Sequence, residues 1–217
     1  MVWTPTPATS TLTVMQGEIL NYVMAPSDTE ATAMATSAIR AAIRRVNSKR
    51  WWWSRSVVDK SLIAGTRTYE LSGNFKSERS AVLLDSASVI KGELQYLQPR
   101  DFDDGTFAAS AQGTPQAYTL YNAQTDGLVT LDVAPSAGVV AATPTLRVRY
   151  YKRLAFLASG SDTLDAPSEV EEFVSWYAKA YVASNWDPAK YAMAKGEAEG
   201  MWTTLIRDNA RQELTDW

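Results

Sequence analysis

Apolar residues recur at spacings of three and four between residues 31 and 46. Ala31, Met34, Ala35, Ala38, Ile39, Ala42, Ile43 and Val46 make one continuous stripe, the signature of an amphipathic helix. Ser27, with Glu30 three residues later, forms a capping box that opens it, so helix is predicted from about Asp28 to Lys49. Alanine dominates the stripe, which lets the helix approach a neighbour closely. Arg40, Arg44 and Arg45 fall off it. The preceding "LTVMQGEILNYVMA" predicts a shorter amphipathic helix ending before Pro26, and the Thr/Pro-rich residues 1–10 read as an extended arm.

Between residues 56 and 153 the periodicity changes. "VVDKSLIA", "RTYEL", "SAVLLDSASVI", "ELQYL", "AYTLY", "LVTLDV" and "TLRVRYY" are short β-branched or aromatic runs separated by Gly, Pro, Asn and Asp, the pattern of strands and turns. Leu146, Val148 and Tyr150 alternate with Arg147 and Arg149, which predicts a sheet with one buried and one wet face. "DFDDGTFAASAQGTP" reads as a long loop or finger.

Helical spacing returns after residue 165. Ser168 is the expected N-cap of a helix, with Glu171 as its capping-box partner and Val170, Phe173, Val174, Tyr177, Ala180 and Tyr181 as its stripe. Asp187 and Pro188 then cap and open a last helix, whose stripe is Tyr191, Ala194, Ala198, Met201, Trp202 and Leu205. The expected fold is α+β, with N- and C-terminal helices packed as a helical bundle around an inserted antiparallel β-rich domain. Its boundaries fall at an arm over 1–10, a helical domain over 11–53 and 165–211, a β-rich domain over 54–164 and a tail over 212–217.

Composition narrows the chemistry. The 217-residue chain contains neither histidine nor cysteine. Thiolate nucleophiles, imidazole acid–base catalysis and the usual zinc sites are therefore excluded. "DFDD" lacks the glycine and closing glutamate of a calcium loop. No catalytic residue, metal or cofactor is expected, and the chain reads as a non-enzyme. With no apolar run of 18 residues, no membrane-spanning helix is expected. The N-terminus lacks the basic-then-apolar order of a signal peptide.

Charge is uneven. The whole chain carries −3, yet Arg40, Arg44, Arg45, Lys49, Arg50, Arg55 and Lys60 face only Asp59 across residues 40–60. An acidic segment, "DTLDAPSEVEE", holds Asp162, Asp165, Glu169, Glu171 and Glu172. The basic run admits three readings: a solvated helix face, an ion-pairing surface for the acidic segment of a neighbouring copy, or phosphate contacts. Heterologous contacts of the second kind close into rings when the rotation permits. Inside the basic run lie Trp51, Trp52 and Trp53. In an extended segment Trp51 and Trp53 share one side and Trp52 the other, so two rings would seal a core and Trp52 would stay available to a partner.

Taken in order, "AIRAAIRRVNSKRWWW", "KSLIAGTRTYEL", "GTPQAYTLYN", "LVTLDVAPSAG", "TLRVRYYKRLAFL", "TLDAPSEVEEFVSWYAKAYV" and "MWTTLIRDNAR" resemble the head–tail adaptor, or connector, proteins of tailed bacteriophages, chiefly the short-tailed type. The resemblance covers residues 28–211. It implies a structural virion protein at the head–tail junction, assembled in the host cytoplasm as a homo-oligomeric ring, typically of twelve copies. Its implied partners are the portal protein, a tail or nozzle protein, and genomic DNA passing through the channel without sequence-specific binding.

Arg40, Arg44, Arg45, Arg50, Trp52, Asp162, Asp165, Glu169 and Glu172 are the candidate subunit or partner interface. Arg207, Arg211, Leu214 and Trp217 are candidates to face the portal, and Phe102 and Phe107 to face the tail. Two alternatives stand beside this reading. One is a nucleic-acid-binding module centred on the basic tryptophan segment 40–60, and the other is a carboxylate-dependent hydrolase of the phage particle.

Overall fold

The computed structural model describes residues 6–25, 28–71, 73–105, 111–121 and 127–215, with side chains through residue 212. The chain divides into two compact units, Met1–Ser54 with Leu154–Trp217 and, between them in sequence, Arg55–Arg153. Helices build the first and strands the second, so the architecture is α+β.

In the helical unit, α1 (Leu12–Val23) starts at Thr11, whose hydroxyl accepts from the Val14 amide. Helix α2 (Thr29–Asn47) is capped by Asp28, whose carboxylate accepts from the amides of Glu30 and Ala31. That corrects the expected cap: an aspartate at the entry already satisfies these first free amides, and Ser27 lies outside the described residues. The alanine-rich stripe is buried as expected, except Met34, which is half-buried. Helix α5 (Ser168–Ala183) packs on α1, on α2 and on α6 (Pro188–Thr215).

The entry to α5 departs from expectation. Pro167 is its N-cap residue and makes no side-chain cap. Glu171 instead turns outward from the helix, and its Oε2 accepts from the amides of Thr9 and Ser10. The Ala8 amide donates to the Ala166 carbonyl and the Ser168 amide to that of Thr6, so residues 6–10 lie tied alongside the approach to α5. Leu154, Leu157 and Leu164 join the core built by α1, α2 and α5. Tyr181, expected on the buried stripe, is 46% exposed. The next two residues, Val182 and Ala183, take the core positions instead.

In the second unit, β1 (Arg55–Ser61), β2 (Thr68–Glu70), β3 (Phe75–Leu84), β4 (Ile90–Tyr96), β6 (Ala117–Tyr121), β7 (Leu128–Leu131) and β9 (Thr145–Lys152) form a sheet ordered β1-β9-β3-β4-β6-β7-β2. Two-residue strands β5 (Gln112–Gly113) and β8 (Ala134–Pro135) pair separately. The sheet is mixed, not purely antiparallel, because β4 and β6 run parallel. A parallel pair needs a long crossover, and the segment carrying α3 (Pro99–Asp103) and β5 supplies it.

Short helices α3 and α4 (Ala137–Ala142) stand where only loop was expected. The run "SAVLLDSASVI" is two strands, turned at Asp85. Its Oδ1 accepts from the amides of Ala87 and Val89, with Ser88 at φ 62°. Leu146, Val148 and Tyr150 are buried as the alternation predicts, with Phe75 and Tyr118 in the same core.

Candidate subunit and partner interface

The tryptophan triplet sits just past the C-terminal end of α2. Trp51 is 2% exposed, and its indole N–H donates to the Val46 carbonyl at 2.7 Å. Trp52–Ser54 is one turn of 3-10 helix, not an extended segment. A tight turn still leaves Trp51 and Trp53 stacked, with ring centroids 6.1 Å apart, while Trp202 of α6 meets Trp51 edge-on at 5.5 Å. Both rings are thereby spent on packing, which favours such aromatic pairs over exposed stacking surfaces.

Trp52 is half-buried. Its amide donates to Asn209 Oδ1 at 2.8 Å, and Asn209 Nδ2 donates to the Arg50 carbonyl at 3.1 Å. One side-chain amide therefore completes the peptide hydrogen bonding on both sides of Trp51. Asn47 does the same for the returning chain, accepting from the Leu154 amide and donating to its carbonyl, both at 2.9 Å. Neither asparagine was expected from the sequence. Asn209 was findable, since positions 202, 205 and 209 continue the α6 stripe at helical spacing. Asn47 carried no comparable signal.

The basic residues separate by direction. Arg40 and Arg44 lie exposed on α2, and Arg44 approaches the Phe156 ring at 5.9 Å. Arg45 points the other way, its guanidinium carbon 4.9 Å from the Trp202 ring, 5.7 Å from Tyr177 and 5.9 Å from Phe173. Arg50 is exposed at the turn itself.

The acidic residues separate too. Asp165, Glu169 and Glu172 are exposed at and before the start of α5. Asp162 closes its own loop: its Oδ2 accepts from the amides of Ala158 and Ser159, each at 2.8 Å. Those amide bonds, Ser159 first, hold its carboxyl below the usual range. No ion pair joins Arg40, Arg44, Glu169 or Glu172 to any described residue.

Trp52, Glu169 and Arg211 come together in a cleft of about 390 Å³, with Trp51, Trp53, Leu205 and Asp208 among its walls. Candidates assigned separately to a subunit contact and to the portal thus share one depression. Arg207 and Arg211 are exposed on α6 and lie near Asp208, at 3.7 and 4.0 Å. Leu214 is within α6 but its side chain lies outside the described residues, as does all of Trp217. Phe102 is not a surface contact: it sits on α3, 6% exposed, because a phenylalanine there completes a buried face of the short helix. Phe107 lies outside the described residues.

Chemistry in the strand unit is local. Arg147 and Asp59, directly opposite across β1 and β9, form a two-pronged ion pair at 2.8 Å. Tyr121 donates to Asp103, and burial with that neighbouring carboxylate pushes its hydroxyl up to about 12. Among the described residues no group of three or more acidic side chains is placed to hold a metal ion, and no helix is long and apolar enough to cross a membrane.

The helical unit thus exposes Arg40 and Arg44 on one helix and Glu169 and Glu172 on another, beside the aromatic turn. The model of the SU10 adaptor protein family matches residues 10–216. The chain belongs to that family, and is a phage adaptor protein and virion component. No curated protein matches the chain.

Proposed function

We propose that the protein is a ring-forming head-to-tail adaptor that docks on the portal, extends the DNA channel and gives tail or nozzle proteins their attachment platform. The observation that carries this reading is the pair of uncompensated faces within one helical unit: Arg40 and Arg44 on α2, Glu169 and Glu172 on α5. Opposite charges on different helices favour a contact in which the basic face of one copy meets the acidic face of the next. Such a contact is heterologous and repeats around a ring. Twelve copies follow from the likeness to short-tailed phage adaptors. The exposed end of α6, with Arg207 and Arg211, is assigned to the portal, and the strand unit to the tail.

Basic groups engaged with neighbouring copies leave the channel lining free of strong phosphate contacts, so the genome slides. Two rings of the triplet are consumed by packing, so they offer no exposed stacking platform for the single-strand-binding alternative. Native mass spectrometry with and without a portal ring tests the proposal. The expected result is a closed multimer on the portal, lost in the double variant Arg40→Glu/Arg44→Glu and regained when Glu169→Arg/Glu172→Arg is added. A chain that stays monomeric on the portal, or a ring indifferent to both charge reversals, would overturn it.

A further inference from the structure

Between α5 and α6 lies a groove of about 320 Å³, walled by Tyr177, Tyr181, Tyr191, Lys195 and Glu199, with Arg45 reaching it from α2. Its floor is made of small residues, the buried Ala180 and Ala198, which is why two closely packed helices leave room there. Three rings hold the Arg45 guanidinium at 4.9 to 5.9 Å. Arg45 is exposed, and contacts to ring faces consume none of its N–H donors. No hydrogen bond or ion pair engages those donors among the described residues, nor the hydroxyls of Tyr177, Tyr181 and Tyr191. Lys195 is held only loosely, 3.9 Å from Glu199 and 5.7 Å from the Tyr191 ring.

A fork of unused donors, beside three unused hydroxyls and between aromatic walls, has the make-up of an anion receptor for a partly apolar ligand. Its charge is matched by one carboxylate, since Arg45 and Lys195 stand against Glu199. A planar carboxylate fits the guanidinium edge with two parallel bonds. A nucleic-acid strand fits poorly, because Glu199 would face its phosphates. The acidic residues Glu169 and Glu172 of a second copy sit on a formed helix, which cannot be laid as an extended strand into the groove. We propose that the groove binds an acidic peptide segment of a partner protein, with one carboxylate seated on Arg45 and the neighbouring side chains between the tyrosines. The site is separate from the α2 face carrying Arg40 and Arg44, and holds whether or not the chain closes a ring.

The test titrates the full chain with the synthetic peptide Ac-Ala-Leu-Glu-Leu-Ala-NH2 and its Gln counterpart, following the Arg45 Nε–H resonance by NMR. The expected result is a saturable shift with the Glu peptide, half-complete below about 1 mM, and none with the Gln peptide. Arg45→Lys keeps the charge but loses the fork, and is expected to weaken binding about tenfold, read from the change in the chain's tryptophan fluorescence. Tyr181→Phe, at an exposed position, is expected to weaken it about threefold and serves as the independent variant should Arg45→Lys not fold. Equal binding of the two peptides would overturn the proposal. So would a thymidine oligonucleotide that moves the resonance at lower concentration, or the same shift produced merely by concentrating the protein, which would make a second copy the occupant.

Discussion

The two units treat their charges in opposite ways. In the strand unit, Arg147 is spent on Asp59 across neighbouring strands, and Lys91 lies 3.1 Å from Asp85, whose carboxylate also closes the β3–β4 turn. Cross-strand neighbours stand opposite one another by construction, so a sheet neutralises its charges as it forms. In the helical unit, Arg40 and Arg44 on α2 and Glu169 and Glu172 on α5 are exposed, and no ion pair joins them to any described residue. A helix projects a stripe into the core and leaves the opposite face uncompensated. The Asp59–Arg147 and Asp85–Lys91 pairs are thus made within the strand unit, whereas Arg40, Arg44, Glu169 and Glu172 of the helical unit have no ion-pair partner among the described residues.

The largest expected effect separates the units by stability. Trp51 carries the helical core at the point where α2 ends, stacked on Trp53 and crossed by Trp202. Trp51→Ala removes a buried indole and its bond to Val46, with an expected loss of about 3–5 kcal/mol from the helical unit. Hydrogen exchange along a denaturant series checks where the loss falls. Helices α2 and α6 are expected to lose protection first, while β3 and β9 keep theirs. Loss of protection in both units at one denaturant concentration would break the comparison.

A second substitution loads the strand unit instead. Gly127 has φ 64°, and a Cβ there would lie 2.8 Å from the ring of Phe75, which is fully buried. Backbone strain and a steric clash act together, so Gly127→Ala is expected to cost about 2 kcal/mol. The readout reverses that of Trp51→Ala, with β3 and β7 losing protection before α2. An equal loss in the helices would join the two units into one cooperative block.

The two units also differ in how far they were legible in sequence. The α2 stripe survived almost residue for residue because an eight-position apolar pattern over-determines one face. Alternation in β9 did the same for the sheet's buried side. Strand pairing was less legible: whether β4 and β6 run parallel depends on where the chain returns, which no local pattern encodes. The two cap corrections have different causes: at α2 the adjacent Asp28 takes the role expected of Ser27, and at α5 the cause is long-range. Ser168 and Glu171 satisfy the local capping rule, but Glu171 found two amides in the arm, and a long-range partner outbid the local one. Of the candidate interface, exposure of Arg40, Arg44, Glu169 and Glu172 was readable from helical phase. The aromatic seat of Arg45 and the clamp of Asn209 were not, since both need residues more than 120 positions away.

The smallest expected effect sharpens the contrast through pH. Asp59 and Asp162 both have lowered pKa values, for different reasons: the side-chain bond from Arg147 for the first, and the amides of Ser159 and Ala158 for the second. A carboxyl depressed in the folded state stabilises above its unfolded value, about 3.9. That stabilisation is lost as pH falls through the lower folded value. Acidification below about pH 4 should therefore weaken both units, the helical unit through Asp162 and the strand unit through Asp59 and Asp85, whose carboxyl the Val89 amide holds low. Asp59→Asn is expected to cost less than about 1 kcal/mol at neutral pH, because the pair is solvent-screened, and to flatten the acid response of β1 and β9 alone. Asp162→Asn should flatten it only around the Leu12 amide, which donates to the Asp162 carbonyl. Exchange rates at β1 and at Leu12, followed from pH 6 to pH 2, separate the two. If either substitution flattened both responses, the charges of the two units would be coupled, and the strand unit would not be the self-contained half.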